Sequence, residues 1–371
     1  MKKLICVLMA MLMMLSVANA EDWFSVADLP VPDHWTATYD TSWRTITVDV
    51  QPTVPDVEEI SILQVRPAYW IPQPDGETAW SAKDIHFDKG GDAFELTCGD
   101  FGKEYDAVRG KKDVVDHSCY VYGPFDANSS YAPQNSLTLG QMLSHFDRIL
   151  AETAAWKPTF DTQHIQSIRI KTYKNKKTGE VLLPAYMDVT LPQALEGVPL
   201  WGHVITSVDE HQDNELFYDA TVSFTMLNAG TYQMVGRVVK PDAVLSADVP
   251  LCSFQKVQEA LESEIEAGHI RRIYSVDLGY ALYNEPGVTR APGREWIKSA
   301  MFYVKPVWRC VCIYEKKASK DLSDNIFSDP VVSVYYKTLY VDAQTGILID
   351  PLDTRQGCGD YKGYFAWEDV Q

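Results

Sequence analysis

The chain is short of positive charge: 33 Lys and Arg stand against 51 Asp and Glu, a net charge of −18 over 371 residues. A surface of that sign repels nucleic acid and anionic lipid, so neither is expected as a partner, and acidity of this kind also keeps an exported protein in solution. Catalytic signatures are missing as well. The sequence has no G-x-S-x-G elbow, no H-E-x-x-H, no Walker loop and no G-x-G-x-x-G turn, so nothing local points to a serine hydrolase, a zinc protease or a nucleotide-binding enzyme. After residue 20 no stretch approaches the roughly 20 apolar residues of a membrane helix, and no membrane anchor is expected.

What is present begins with an export pattern. Lys2 and Lys3 precede an apolar run from Leu4 to Val17, and Ala18-Asn19-Ala20 supplies an A-x-A cleavage site, the three parts of a secretory signal. Cleavage after Ala20 is expected, giving a secreted or cell-envelope chain that starts at Glu21. Its charge becomes 31 − 51 = −20 once the two lysines are lost. Cys6 leaves with the signal, and six cysteines remain: Cys98, Cys119, Cys252, Cys310, Cys312 and Cys358. An even number in an exported chain favours disulfides. Cys98 and Cys119 are 119 − 98 = 21 positions apart in one expected domain and are read as a pair. Cys310 and Cys312 lie on one strand face and are poorly placed to bridge each other, which leaves Cys252 and Cys358 as their partners. Zinc is the competing reading, but paired CxxC spacing is missing and Cys310-x-Cys312 supplies only two ligands. No metal or cofactor is expected.

The pattern predicts an α+β protein. Residues 21–135 read as an N-terminal β-rich domain: short alternating runs such as Trp43 to Val50 are broken by Pro52, Pro55, Pro67 and Pro72, and Asp126 to Gln134 reads as a linker. Two similar programmes follow, at 136–250 and 251–350, with a tail at 351–371. In the first, Thr138 and Gln141 form a capping box before the stripe Leu139, Met142, Leu143, Phe146, Ile149 and Leu150. In the second, Ser253 precedes Phe254, Val257, Leu261 and Ile265, with Gly268 as the stop. Matching landmarks are offset by 253 − 138 = 115, 306 − 184 = 122 and 346 − 230 = 116 residues, which predicts two repeated helix-on-antiparallel-sheet modules.

The closing run Tyr340-Val341-Asp342-Ala343-Gln344-Thr345-Gly346 resembles the last strand and turn of PepSY-type modules, where a DA-x-TG signature closes a hairpin. With Lys305-Pro306-Val307-Trp308 ahead of it, the tandem is similar to the YycH/YycI group of extracellular regulatory proteins and to related uncharacterised secreted Gram-positive families, over residues 137–350. The resemblance implies a non-catalytic protein that binds or restrains an extracellular protein or peptide. A cleavable signal stands where YycH and YycI carry an anchoring helix.

Several residues are candidates for chemistry or binding. Tyr186, Trp201 and Trp308 offer an aromatic platform for peptide or carbohydrate, against the reading that aromatics beside Pro in a strand are core anchors. Asp209-Glu210-His211-Gln212-Asp213-Asn214-Glu215 concentrates carboxylates about an imidazole and reads either as a cation loop or as a solvated hairpin. Asp116-His117-Ser118-Cys119 sets a thiol near an imidazole, as a nucleophile would need. A cell-envelope hydrolase using Asp209, His211 or His117, or a structural envelope component, is the alternative to the binding protein.

Overall fold

The computed structural model describes residues 23–68 except 43, 85–87, 93–99, 108, 111, 113–121, 125–132, 137–153, 158–204, 220–284 except 229, 300–317 and 332–349. In chain order the elements are β1 (Trp23–Phe24), β2 (Trp35–Asp40), β3 (Thr45–Val50), β4 (Ile62–Ala68), β5 (Ile85–Phe87), β6 (Phe94–Cys98), β7 (Val114–Val121), α1 (Leu139–Ala151), β8 (Thr159–Phe160), β9 (Ser167–Asn175), β10 (Val181–Leu195), β11 (Val198–Val204), β12 (Thr221–Asn228), β13 (Thr231–Gly236), β14 (Val238–Ser246), β15 (Leu251–Cys252), α2 (Phe254–Glu266), β16 (Ile270–Asn284), β17 (Phe302–Lys317), β18 (Val332–Asp342) and β19 (Leu348–Ile349).

Local chemistry explains many of these boundaries. Thr138 Oγ1 accepts from the Gln141 amide at 3.3 Å while Gln141 Oε1 accepts from the Thr138 amide at 2.8 Å, closing the capping box that starts α1. Ser253 occupies the N-cap of α2 without a side-chain capping bond. At the far end Gly268 takes φ +77°, and His269 N bonds Glu264 O at 3.0 Å, a Schellman stop. In the β18–β19 turn Asp342 Oδ1 accepts from the Gln344 and Thr345 amides, both at 2.9 Å, and Gly346 supplies φ +71°.

Fifteen strands join in one sheet that falls into two halves. The first half runs β7-β9-β10-β12-β13-β6-β5. The second runs β11-β16-β17-β4-β14, with β18 and β19 continuing from β17. The halves meet on β10, whose residues Met187–Pro192 pair with β12 whereas Ala194 and Leu195 pair with β11. β11 then lies parallel to β16. Two cores follow. Leu139, Met142, Phe146 and Ile149 of α1 pack on Met187, Val189, Phe224 and Met234 of the first half. Phe254, Val257, Leu261 and Ile265 of α2 pack on Leu278, Tyr280, Trp308 and Cys310 of the second, with Trp35, Ile46 and Val48 of the β2–β3 hairpin sharing that core.

This architecture corrects the expected fold class. The protein is mostly β, with two 13-residue helices beside nineteen strands among the described residues, and it is not a pair of repeated helix-on-sheet modules. Strand length is one cause: β10 and β16 are 15 residues and β17 is 16, so each sheet runs well past the helix that covers it. Pairing is the other. β14 falls within 136–250 but pairs with β4 on the far edge of the second half, and β11 leaves the first half for the second. Pairing also crosses residue 135 freely: β1 joins β15, β4 joins β14 and β17, β6 joins β13, and β7 joins β9.

Candidate functional site

Residues along β16 and β17 alternate between the α2 core and the opposite face of the sheet, and that opposite face carries a buried charge pair. Asp277 and Arg309 are directly opposite in register, with Arg309 Nη2 donating to Asp277 Oδ2 at 2.8 Å and side chains only 6% and 5% exposed. Asp277 also accepts from Thr53 Oγ1 and Ser275 Oγ, each at 2.8 Å. The Arg309 guanidinium lies 3.8 Å from the centre of the Trp201 ring, a cation–π contact strengthened by the burial of both groups. Trp201 in turn packs closely against Gly279, where a Cβ would come within 2.3 Å of the indole nitrogen.

The turn before β9 completes the cluster. Gln166 Nε2 donates to Trp201 O at 3.1 Å, and the His164 ring meets Trp201 edge-on at 6.1 Å. His164 Nδ1 is 2.7 Å from Asp161 Oδ2, while Asp161 Oδ1 accepts from the Gln163 and His164 amides at 2.8 and 3.0 Å. The hydrogen bond with Asp161 raises the His164 pKa against the opposing effect of burial, helped by the charges of Asp161 and Asp277 and resisted by Arg309. Burial pushes Asp161 up, but the His164 bond and charge and the two amides hold it below the usual carboxylate range. Elsewhere charges are likewise tied: Glu315 takes both Arg44 and Arg271, and Asp188 takes Lys171 and Ser223. Among the described residues no three His, Cys, Asp or Glu side chains gather as a metal ion would need.

At the outer edge of the second half, β14 pairs with β4 and, among the described strands, with no other. Lys240 to Ser246 are all exposed. Val244 stands opposite buried Leu63 and so prolongs the apolar face of β4 into solvent. Val244 is 57% exposed and Leu245 56%.

No family model matches the chain, and no curated protein matches it. An uncharacterised protein from Eubacterium rectale, known from its crystal structure, superposes with a TM-score of 0.50 at 10% identity, over 85% of this chain and 93% of its own. The likeness is one of fold.

The residues singled out from sequence land in different places. Tyr186, Trp201 and Trp308 are 1%, 0% and 0% exposed, so none offers a ring face to a ligand: Trp308 packs on Phe254, Trp201 carries Arg309, and Tyr186 sits with Tyr173. Asp209 and His211 lie outside the described residues, as do Cys358 and the side chains of His117 and Cys119. No Sγ–Sγ bond joins two described cysteines. Cys98 on β6 and Cys119 on β7 are five strand steps apart along β6-β13-β12-β10-β9-β7, about 24 Å across a sheet, far beyond the ~7 Å that a disulfide spans. Cys252 N bonds Ala343 O, and Ala343 N bonds Pro306 O, which puts Cys252 about 13 Å along β17 from Cys310. Cys310 and Cys312 do lie side by side. Their mutual hydrogen bond, then burial, pushes the Cys310 thiol well up. Asp277, Arg309 and His164 were not among the sequence candidates, yet a signal existed: Arg309 interrupts Val307-Trp308 and Cys310-Val311, and a charge inside so apolar a run needs a buried partner.

Proposed function

We propose that the chain is an exported, non-catalytic binding protein that captures an extended segment of an extracellular protein or peptide on the edge of β14. The observation that carries this reading is an exposed strand edge whose apolar face is left uncovered at Val244. A strand added there gains main-chain hydrogen bonds, and its inward side chains cover Val244. Pro241 has no N–H to offer, so the edge begins after it, and the register shifts at Pro241/Ala243 and Val244/Ser246 leave Ala243 and Val244 as its regular centre within residues 242–246. The net charge of −18 favours a neutral or basic segment over an acidic one. The test is capture of partners from the extracellular fraction with the intact protein and with Ala243→Pro, followed by amide exchange on the complex. Strand addition slows exchange at 242–246 and is lost in Ala243→Pro; a partner retained equally by the variant overturns the reading.

A further inference from the structure

The turn at 161–166 sits where the two half-sheets join. Gln166 N bonds Thr190 O of β10 at 2.9 Å, and its side chain holds the carbonyl of Trp201 on β11, the strand that crosses from one half to the other. Every charged group that faces His164 among the described residues can be named. Its own turn supplies Asp161, β16 supplies Asp277 and β17 supplies Arg309, while β11 presents the neutral Trp201 ring. Two carboxylates and one guanidinium leave this poorly solvated cluster with one negative charge in excess. A proton on His164 cancels it, and cancellation matters most where water is scarce. At 27% exposure the imidazole still exchanges protons with solvent.

We propose that the Asp161–His164 pair is a pH-responsive clasp on the joint between the half-sheets, locking the turn on Trp201 when the imidazole is charged and slackening when it is neutral. The neutral ring keeps a hydrogen bond to Asp161 but loses its charge attraction, so the joint opens more often without coming apart. The raised His164 pKa fits this geometry, and places the change above the ordinary histidine value of about 6.5.

The experiment is amide hydrogen exchange on the intact protein at pH 5.5 and pH 8, corrected for the intrinsic rate, with α2 amides as the internal reference. In the wild type, protection at 199–203 and 277–282 falls several-fold relative to α2 as pH rises. His164→Gln, which keeps a donor without the charge, gives the same ratio at both pH values. Asp161→Asn, as the second variant, also flattens the response, and an NMR titration of the wild-type imidazole reads a midpoint above about 6.5. A pH response that persists in either variant, a wild type with no response, or a midpoint at or below that value each overturns the clasp.

Discussion

Asp277 and Arg309 show how one residue acts through its partner. Removing either leaves the other charge buried and unpaired, so Asp277→Ala and Arg309→Ala are each expected to cost about 3–5 kcal/mol, whereas Asp277→Leu with Arg309→Met costs far less than the two singles summed. Urea unfolding of the four proteins checks this, and additive losses would contradict it. Half-buried His164 and buried His145 pull in opposite directions. His164 has a folded pKa above its unfolded value, so its contribution is complete below about pH 6.5 and fades as pH rises through the folded value. Burial, then the Arg148 charge, lowers the His145 pKa; the folded state resists charging it, and stability falls as pH drops below about 6.5. His145→Phe should therefore flatten the acid limb and His164→Gln the limb above it, both read from urea midpoints between pH 5 and pH 8. Residues with local roles were legible in the sequence: Thr138, Gln141, Gly268, Asp342 and Gly346 act on neighbours within a few positions. Arg309 was not, because its partners Trp201 and Asp277 come from β11 and β16, distant in the chain.

Helix and hairpin elements followed from pattern, and their energetics are now separable. The α1 cap is complete and the α2 cap is not, so Thr138→Ala is expected to lose about 1 kcal/mol and Ser253→Ala distinctly less. A Tm comparison decides, and equal losses would mean that Ser253 caps in solution. The apolar stripes place Phe146 and Leu261 at 0% exposure; either changed to Asp buries a charge and should unfold its half of the molecule. Strand pairing was the element property that sequence concealed. β10 runs from Val181 to Leu195, and which stretch of it meets β12 and which meets β11 depends on segments far away in the chain.

Across the whole molecule the matched spacing of caps, Pro-aromatic strands and Gly turns suggested self-contained repeats, because periodicity reports local elements and is silent about which edges pair. The pairing of β4 with β14 and β17 makes residues 62–68 a middle strand of the second half, and Trp35, Ile46 and Val48 complete the α2 core. A fragment starting at residue 136 should accordingly remain unfolded by circular dichroism and bind a hydrophobic dye, whereas independent folding would show that the earlier strands are dispensable. The same long-range pairing sets a clock. Trp23 pairs with Cys252, 252 − 23 = 229 positions later, and Val65 with Phe302, 302 − 65 = 237 positions later. At 5–20 residues per second of synthesis, the first strand waits roughly 10–50 s for its partner to exist. Closing such distant contacts is intrinsically slow, so the early strands stay extended and threadable throughout that interval, and the second half-sheet can form only after almost all of the chain has been made.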